Sequence, residues 1–408
     1  MMIRLIGLEI KKVFASRMTK ILLALALVLS IVMALTVIHY TTWSYTDKQG
    51  KEVKITGFKA IEANKERMKP YEGPLTEERI EEVFRINRGD NKEDVEDIYE
   101  KGGHPTKMLL ASLWQVYQDD EGLPRPLSKI DDRDARNFYG QRDAAVAASI
   151  AAKYPHSPEI QEKAIAINEQ VEKPFTFVYG YANSDAADYV LLLNILLVML
   201  CSILAAPFFS SDYQTGADDI LRCTRNGRTK LACVKIFSAL ILSTACFTVC
   251  MAIFLVIVNT VYGWDSLDAS IQFTYSVTVL APLTAGGVQK LTVAVGFVAF
   301  LSMISFILMI SSKTRTAVVS MILALVFCLL PSLISSIGSG NIIEWISCLL
   351  PAGGVGLTHS FLFELTGTTF LQAGDTGFWS PYVIFIAAAI ELPLFLILTV
   401  RFYCKHEA

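Results

Sequence analysis

The sequence has no phosphate loop. Gly-x-x-x-x-Gly-Lys followed by Ser or Thr occurs nowhere in its 408 residues, which excludes nucleotide binding of the Walker type. Its five histidines, His39, His104, His156, His359 and His406, form no i, i+4 pair and lie near no pair of cysteines, so there is no metal-ligand pattern. A Gly-x-Ser-x-Gly elbow is missing as well, and with it the serine hydrolases built on that turn. None of the eight cysteines falls within residues 40–188, so disulfides do not staple that stretch. Residues 336–381 contain neither Lys nor Arg. Charged residues make up only 18% of the chain against 53% apolar, a balance that points to a membrane protein with one polar insert.

What is present is long apolar runs. The first occupies residues 20–39; five more lie at 190–209, 231–258, 293–311, 317–334 and 382–400. Each is long enough to cross a hydrocarbon layer of about 30 Å as a helix. The expected fold is therefore an all-α membrane protein of six transmembrane helices. Residues 40–188 form a mainly helical insert, and residues 189–408 a five-span bundle.

The small net charge of -3 conceals an asymmetry. Residues 40–188 hold 21 Lys and Arg against 28 Asp and Glu, leaving 15 basic and 11 acidic residues for the rest of the chain. The insert is acidic, so no nucleic-acid surface is indicated. Of the 15 basic residues outside it, 14 fall on segments that six crossings place on one side, and Lys290 is the exception. Because cytoplasmic flanks retain Lys and Arg, both termini are expected in the cytoplasm and residues 40–188 outside the cell. A cysteine-free external domain suits a multi-pass protein of a bacterial cell membrane.

Residues 1–19 read as an amphipathic helix in the bilayer interface. Ile3, Ile6, Ile10, Val13 and Phe14 share one side and Arg4, Lys11 and Lys12 the other. The alternative is the basic start of a signal peptide, but the following run is long enough to span and no small-x-small cleavage site follows it. In the insert, helices are expected after Thr76, Asn91 and Pro105-Thr106, over 131–153, and from Ser157-Pro158. Phe175, Phe177, Tyr179 and Tyr181 alternate before the second span, as a short strand or as an aromatic belt at the outer surface; the belt is preferred. Residues 263–290, with Asp265, Asp268 and Pro282, read as an outer loop with a short helix. The apolar stretch 342–365 is interrupted by Pro351, Gly353, Gly354 and Gly356, and is read as an outer re-entrant hairpin rather than a pair of half-spans.

The most informative stretch is the charged island at 210–230 between the second and third runs. Arg222, Arg225, Arg228, Lys230 and, just beyond, Lys235 mark it as cytoplasmic. Gly216 breaks the helix leaving the membrane. Residues 217–221 form a short helix with Asp218 and Asp219 near its positive end, and Asn226-Gly227 turns the chain back. By itself such a loop also reads as a basic segment that only fixes topology. In this pattern, however, the chain resembles the membrane subunits of second-class ABC exporters, in which an acid, a Gly four residues on, an aliphatic pair, an Arg and a Lys occupy this loop. Here Asp212, Gly216, Ile220 with Leu221, Arg228 and Lys235 stand in those places, with Asp for the more usual Glu and Ala217 where Thr is common.

The resemblance implies that residues 210–230 are a coupling loop, with Asp218, Asp219 and Arg222 on its helix, docking on a cytosolic ATPase dimer that binds ATP and Mg. It implies an interfacial elbow helix at 1–19 and a second permease subunit, identical or homologous, completing the pore in the lipid bilayer. It implies export of a peptide, an antibiotic or a lipid, with no cofactor or catalytic residue on this chain. The acidic insert suits a cationic peptide.

Within the spans, Glu391 is the sharpest residue, since a lone carboxylate at mid-membrane costs about 3 kcal/mol and faces a partner or a wet cavity. It is either a substrate or gating contact, or an acid tying its helix to neighbours, with Asn194 and Asn259 as candidate polar partners. Cys246 and Cys250, one turn apart, read as buried apolar filler. Pro207 and Pro331 lie near span ends, where a kink would let helices splay. Two other classes stay open: a membrane-embedded enzyme acting on lipid or peptide bonds, and an extracellular sensor.

Overall fold

The structure is a computed structural model that describes residues 2–46, 51–88, 105–118, 123–224, 227–338, 340–356 and 359–405. Among these are six helices long and apolar enough to cross a membrane: Arg17–Tyr40, Ala186–Thr215, Thr229–Tyr262, Ala285–Ser311, Ala317–Ile337 and Ser380–Lys405. They are called the first to sixth spans. The helices outrun the apolar sequence at most ends, because hydrogen bonding continues into polar flanks once an apolar stretch has nucleated the helix. The third, of 34 residues, is about 51 Å long and so projects past a hydrocarbon layer of about 30 Å. Side chains set several boundaries. Thr284 accepts a hydrogen bond from the Gly287 amide at 3.1 Å to start the fourth span, and Thr316 accepts from Val319 at 3.4 Å to start the fifth.

The fourth span packs along the sixth and the third along the first, while the second lies against the first, third, fourth and fifth. Helix Met2–Ala15 precedes the first span, separated from it by Ser16 in extended backbone, and packs on the start of the third. Contacts between connecting segments define two ends. At one end Lys12 meets Asp212, Tyr213 meets Ser312, and Arg222 meets Tyr403. At the other, the insert meets the 263–284 loop and residues 366–379.

The insert, expected to be mainly helical, also contains short strands, and a further pair precedes the sixth span. Strands Thr42–Thr46 and Glu52–Thr56 pair antiparallel, Gly73–Pro74 pairs with Thr176–Phe177, and Phe370–Ala373 with Thr376–Trp379 forms a hairpin before the sixth span. Its described helices include Phe58–Met68, Glu77–Arg88, Lys107–Leu113, Phe138–Lys153 and Pro158–Asn168. The helix expected over 131–153 is two, Asp132–Arg136 and Phe138–Lys153, hinged at Asn137. The one expected after Asn91 lies outside the described residues.

The aromatic belt is not what forms. Phe175, Phe177, Tyr179 and Tyr181 are all buried, the first two completely. Residues two apart on an extended chain share a face, and Phe175, Phe177 and Tyr179 turn into the insert, while Tyr181, at the start of a short helix, packs into the bundle. Phe175 lies edge-on to Phe138, Tyr139 and Phe273. That last contact is notable, because Phe273 and the buried Val277 belong to the loop between the third and fourth spans. The core of the insert is thus completed by a segment nearly a hundred residues away.

Arg142 bolts the two together. Wholly buried, it donates from Nε to the Val277 carbonyl and from Nη2 to that of Val279, both at 2.8 Å, and from Nη1 to Asp143 and Asn168. On its other flank the insert reaches the hairpin through Tyr154 and Lys163, which donate to the carbonyls of Thr368 and Gly377. Residues 341–366 contribute two short helices, Asn341–Leu349 and Phe361–Thr366, neither long enough to cross.

Candidate functional site

Ala206 and Pro207 interrupt the second span. Pro207 has no amide hydrogen, so the helix restarts there and runs as Pro207–Thr215. The backbone groups freed at the break are taken by one side chain of the fourth span, with Ser210 Oγ also donating to the Ala206 carbonyl at 2.9 Å. Ser311 Oγ accepts from the amides of Phe209 and Ser210 at 3.1 Å each and donates to the Ala206 carbonyl at 2.5 Å. Gly216 then ends this segment at φ +68°, the left-handed conformation that glycine adopts without strain, and the chain turns into the short helix Ala217–Arg222.

Two buried ionic groups hold this angled lever. The first is built around Asp212, which meets Lys12 Nζ at 2.8 Å and Lys235 Nζ at 2.6 Å. Lys235, only 1% exposed, also meets Glu9 at 3.0 Å and donates to the Phe208 carbonyl at 2.7 Å. Four charges thus cancel within one cluster that joins the N-terminal helix, the second span and the third. Burial lowers the pKa of Lys12, but hydrogen bonding to Asp212 outweighs it with help from Glu9, so the ammonium is held above its ordinary value. The second group is Asp218 with Arg222 Nε at 2.8 Å, a helical i, i+4 pair. Arg222 also donates to the Tyr403 carbonyl and lies 4.7 Å from that ring's centre, tying the lever to the end of the sixth span. There burial works against its charge, and Asp218 overcomes it to hold the guanidinium pKa raised.

The loop residues therefore divide by direction. Asp212, Asp218 and Lys235 are buried and Arg222 faces inward, whereas Asp219 and Arg228 are exposed and Ile220 is 74% exposed. Leu221 is half-buried, and Arg225 lies outside the described residues. The sequence pattern did not separate the inward set from the outward one. What it missed altogether is Glu9, Ser311 and Tyr403, which brace the lever from three other helices. A Glu on the basic face of the N-terminal helix was the one available signal.

The intramembrane candidates do not converge. Glu391 accepts a hydrogen bond from Ser302 of the fourth span at 2.8 Å, so neither Asn194 nor Asn259 is its partner. Asn259 instead forms a reciprocal pair with Gln289, two hydrogen bonds of 3.0 Å each, between the third and fourth spans. Asn194 is buried beside Gly296, where an added Cβ would come within 2.7 Å of its Nδ2. Both Pro331 and Pro393 sit inside continuous helices.

One cluster tests the enzyme alternative. His359 Nε2 lies 3.5 Å from Cys348 Sγ and 3.6 Å from Glu364 Oε1. A nucleophile relay needs the thiol and the acid on opposite ring nitrogens, but here both face the same one and Nδ1 meets the Gly353 carbonyl at 3.0 Å. Cys348 is 1% exposed, and burial followed by Glu364 and Glu344 pushes its pKa up, which keeps the thiol protonated. The arrangement is that of packing. Among the described residues no group of three or more His, Cys, Asp or Glu is placed to hold a metal ion.

Comparison with known proteins gives a family. The family model described as ABC-2 family transporter protein matches residues 5–362, from the N-terminal helix through the insert and five spans. No curated protein matches the chain. With six apolar helices and a match over most of its length, the chain belongs to the ABC-2 transporter family and is a multi-pass membrane permease component of an ABC transporter, a family membership that implies an ATPase partner.

Proposed function

We propose that this chain is one half of the translocation path of an ATP-driven exporter, and that a cytosolic ATPase dimer docks on the outward face of Ala217–Arg222. The observation that carries this reading is the contrast between the lever's two sides. Its inner side is locked by Asp218, Arg222 and the Asp212–Lys235 pair, while its outer side presents Ile220, 74% exposed, next to Asp219. Ile220, exposed among charged neighbours, offers a partner an apolar contact with a polar rim. A push on this face is carried through Gly216 to the second span and through Tyr403 to the sixth, so closure of the ATPase dimer, with ATP and Mg held on that partner, rearranges the bundle.

The lever end faces the cytoplasm in this reading, because 14 of the 15 basic residues outside the insert belong to that end. The insert then lies outside the cell. A second permease half, identical or homologous, packs on the fifth and sixth spans, each only 22% buried against the rest of the chain. The cargo is a peptide, an antibiotic or a lipid, and the seven-charge acidic excess of the insert suits a cationic peptide.

The test is co-purification and co-reconstitution of the chain with its partner ATPase. Ile220→Asp is expected to lower stimulated ATP turnover at least tenfold, with membrane insertion and thermal unfolding unchanged. If the variant stays fully coupled, the docking face has been misassigned. If the wild-type chain transports cargo with no ATPase present, the exporter reading itself fails.

A further inference from the structure

Lys290 is the one basic residue outside the insert that lies at the wrong end for a cytoplasmic flank, and the transport reading gives it no task. It is exposed and, among the described residues, makes no hydrogen bond or ion pair. Its position along the fourth span is informative. Lys313, just past the other end of the same helix, is 23 residues away, which is about 34 Å along a helix axis. That separation places the two ammonium groups at the two faces of a hydrocarbon layer of about 30 Å.

Directly below Lys290 a groove of about 440 Å³ runs between the third and fourth spans. It exists because Thr248, Ala252 and Ala294 are too small to close the gap between the two helices. Phe247, Met251 and Phe297 form its floor and wall, with Phe247 and Phe297 in ring contact at 5.2 Å. The polar edge at the same level is already satisfied, since Gln289 is paired with Asn259. Among the described residues Lys290 is the sole charged side chain lining the groove, and it stands where a lipid headgroup would be.

We infer that this groove is a binding site for an anionic phospholipid, with one acyl chain against Phe247, Met251 and Phe297 and the phosphate at Lys290. Charge selects the headgroup and the gap left by small side chains accepts the chain. The site lies away from the lever and does not depend on the ATPase reading.

The experiment is native mass spectrometry of the full chain released from mixed micelles that contain phosphatidylglycerol and phosphatidylcholine in equal amounts. One phosphatidylglycerol is expected to be retained per chain under activation that strips the remaining lipid. Lys290→Gln should reduce its retention about fivefold, the worth of one basic residue near a lipid surface, and Lys290→Arg should restore it. Ala252→Phe, which fills the groove while keeping the charge, should abolish retention, and Lys20→Gln, a remote exposed cation, should leave it unchanged. Thermal unfolding of each variant separates a folding defect from a binding defect. Equal retention of the two lipids, or retention unaffected by both Lys290→Gln and Ala252→Phe, identifies annular lipid only and overturns the inference.

Discussion

Replacing Lys235 by Met should cost the bundle about 3–5 kcal/mol, the usual cost of stripping one partner from a buried ion pair. The reason lies in what is left behind. Asp212 is 4% exposed and the Glu9 side chain 13%, so two carboxylates would share the single cation of Lys12, and the Phe208 carbonyl would lose its donor. Lys12→Met is a different perturbation at the same carboxylate. The Lys12 side chain is 54% exposed, water screens its charge, and Asp212 keeps Lys235, so the expected cost is about 1 kcal/mol or less. In Asp212→Asn with Lys235→Met the remaining charges, Glu9 and Lys12, balance. The double variant should therefore be less damaged than the sum of the singles by about 2 kcal/mol. Unfolding free energies from titration with sodium dodecyl sulfate, for the four corners of the cycle and Lys12→Met, measure these quantities. Equal costs for Lys235→Met and Lys12→Met, or additivity within about 0.5 kcal/mol, would refute the view that burial, and not mere proximity of charges, makes this cluster hold the lever.

Ser311→Ala removes the group that serves the amides of Phe209 and Ser210, and at about 1–3 kcal/mol per orphaned buried group it should destabilise by at least 2 kcal/mol in the same titration. Gly216→Ala meets no atom within 4 Å but must adopt φ +68°, so the loss should be only the backbone strain of about 1–2 kcal/mol, whereas Gly296→Ala collides with Asn194 and should lower the expressed, folded yield. In the insert, burial works against ionisation of Asp143, but hydrogen bonds from Lys173, Asn168 and Arg142 outweigh it and hold the carboxyl below its ordinary 3.8. A depressed folded pKa means stabilisation that is full above about pH 4 and lost as pH falls through the lower value. Protease cleavage of the 263–284 loop should accordingly rise as pH falls below about 4, and Asp143→Asn should flatten that dependence.

Six spans were legible because apolar runs of this length admit few alternatives, and the short helix after Gly216 because a glycine between an acid and an aliphatic pair is a local signal. Direction was not legible. Asp212, Asp218 and Lys235 read as solvated charges on a loop, and only the approach of the N-terminal helix, carrying Glu9 and Lys12, makes their burial tolerable. The alternation of Phe175, Phe177, Tyr179 and Tyr181 was visible, but which surface it met depended on Phe273 and Val277, far along the chain. The hairpin Phe370–Ala373 with Thr376–Trp379 was not anticipated, because strands of only four residues carry little alternation to read. Glu391 was found by its cost in the membrane, yet its partner Ser302 is an unremarkable serine on another helix.

Four side chains that bolt the insert to its neighbours share a property with a wider consequence. Arg142, Lys153, Tyr154 and Lys163 reach from the insert to Val277, Val279, Thr368 and Gly377, and at every one of those positions the acceptor is a main-chain carbonyl. A carbonyl is supplied by any amino acid, so these hydrogen bonds do not depend on the acceptors' side chains, whereas the packing of Phe273 and Val277 into the insert does. The polar fastening of the insert is thus indifferent to side-chain identity at those four acceptors, while its apolar fastening is not.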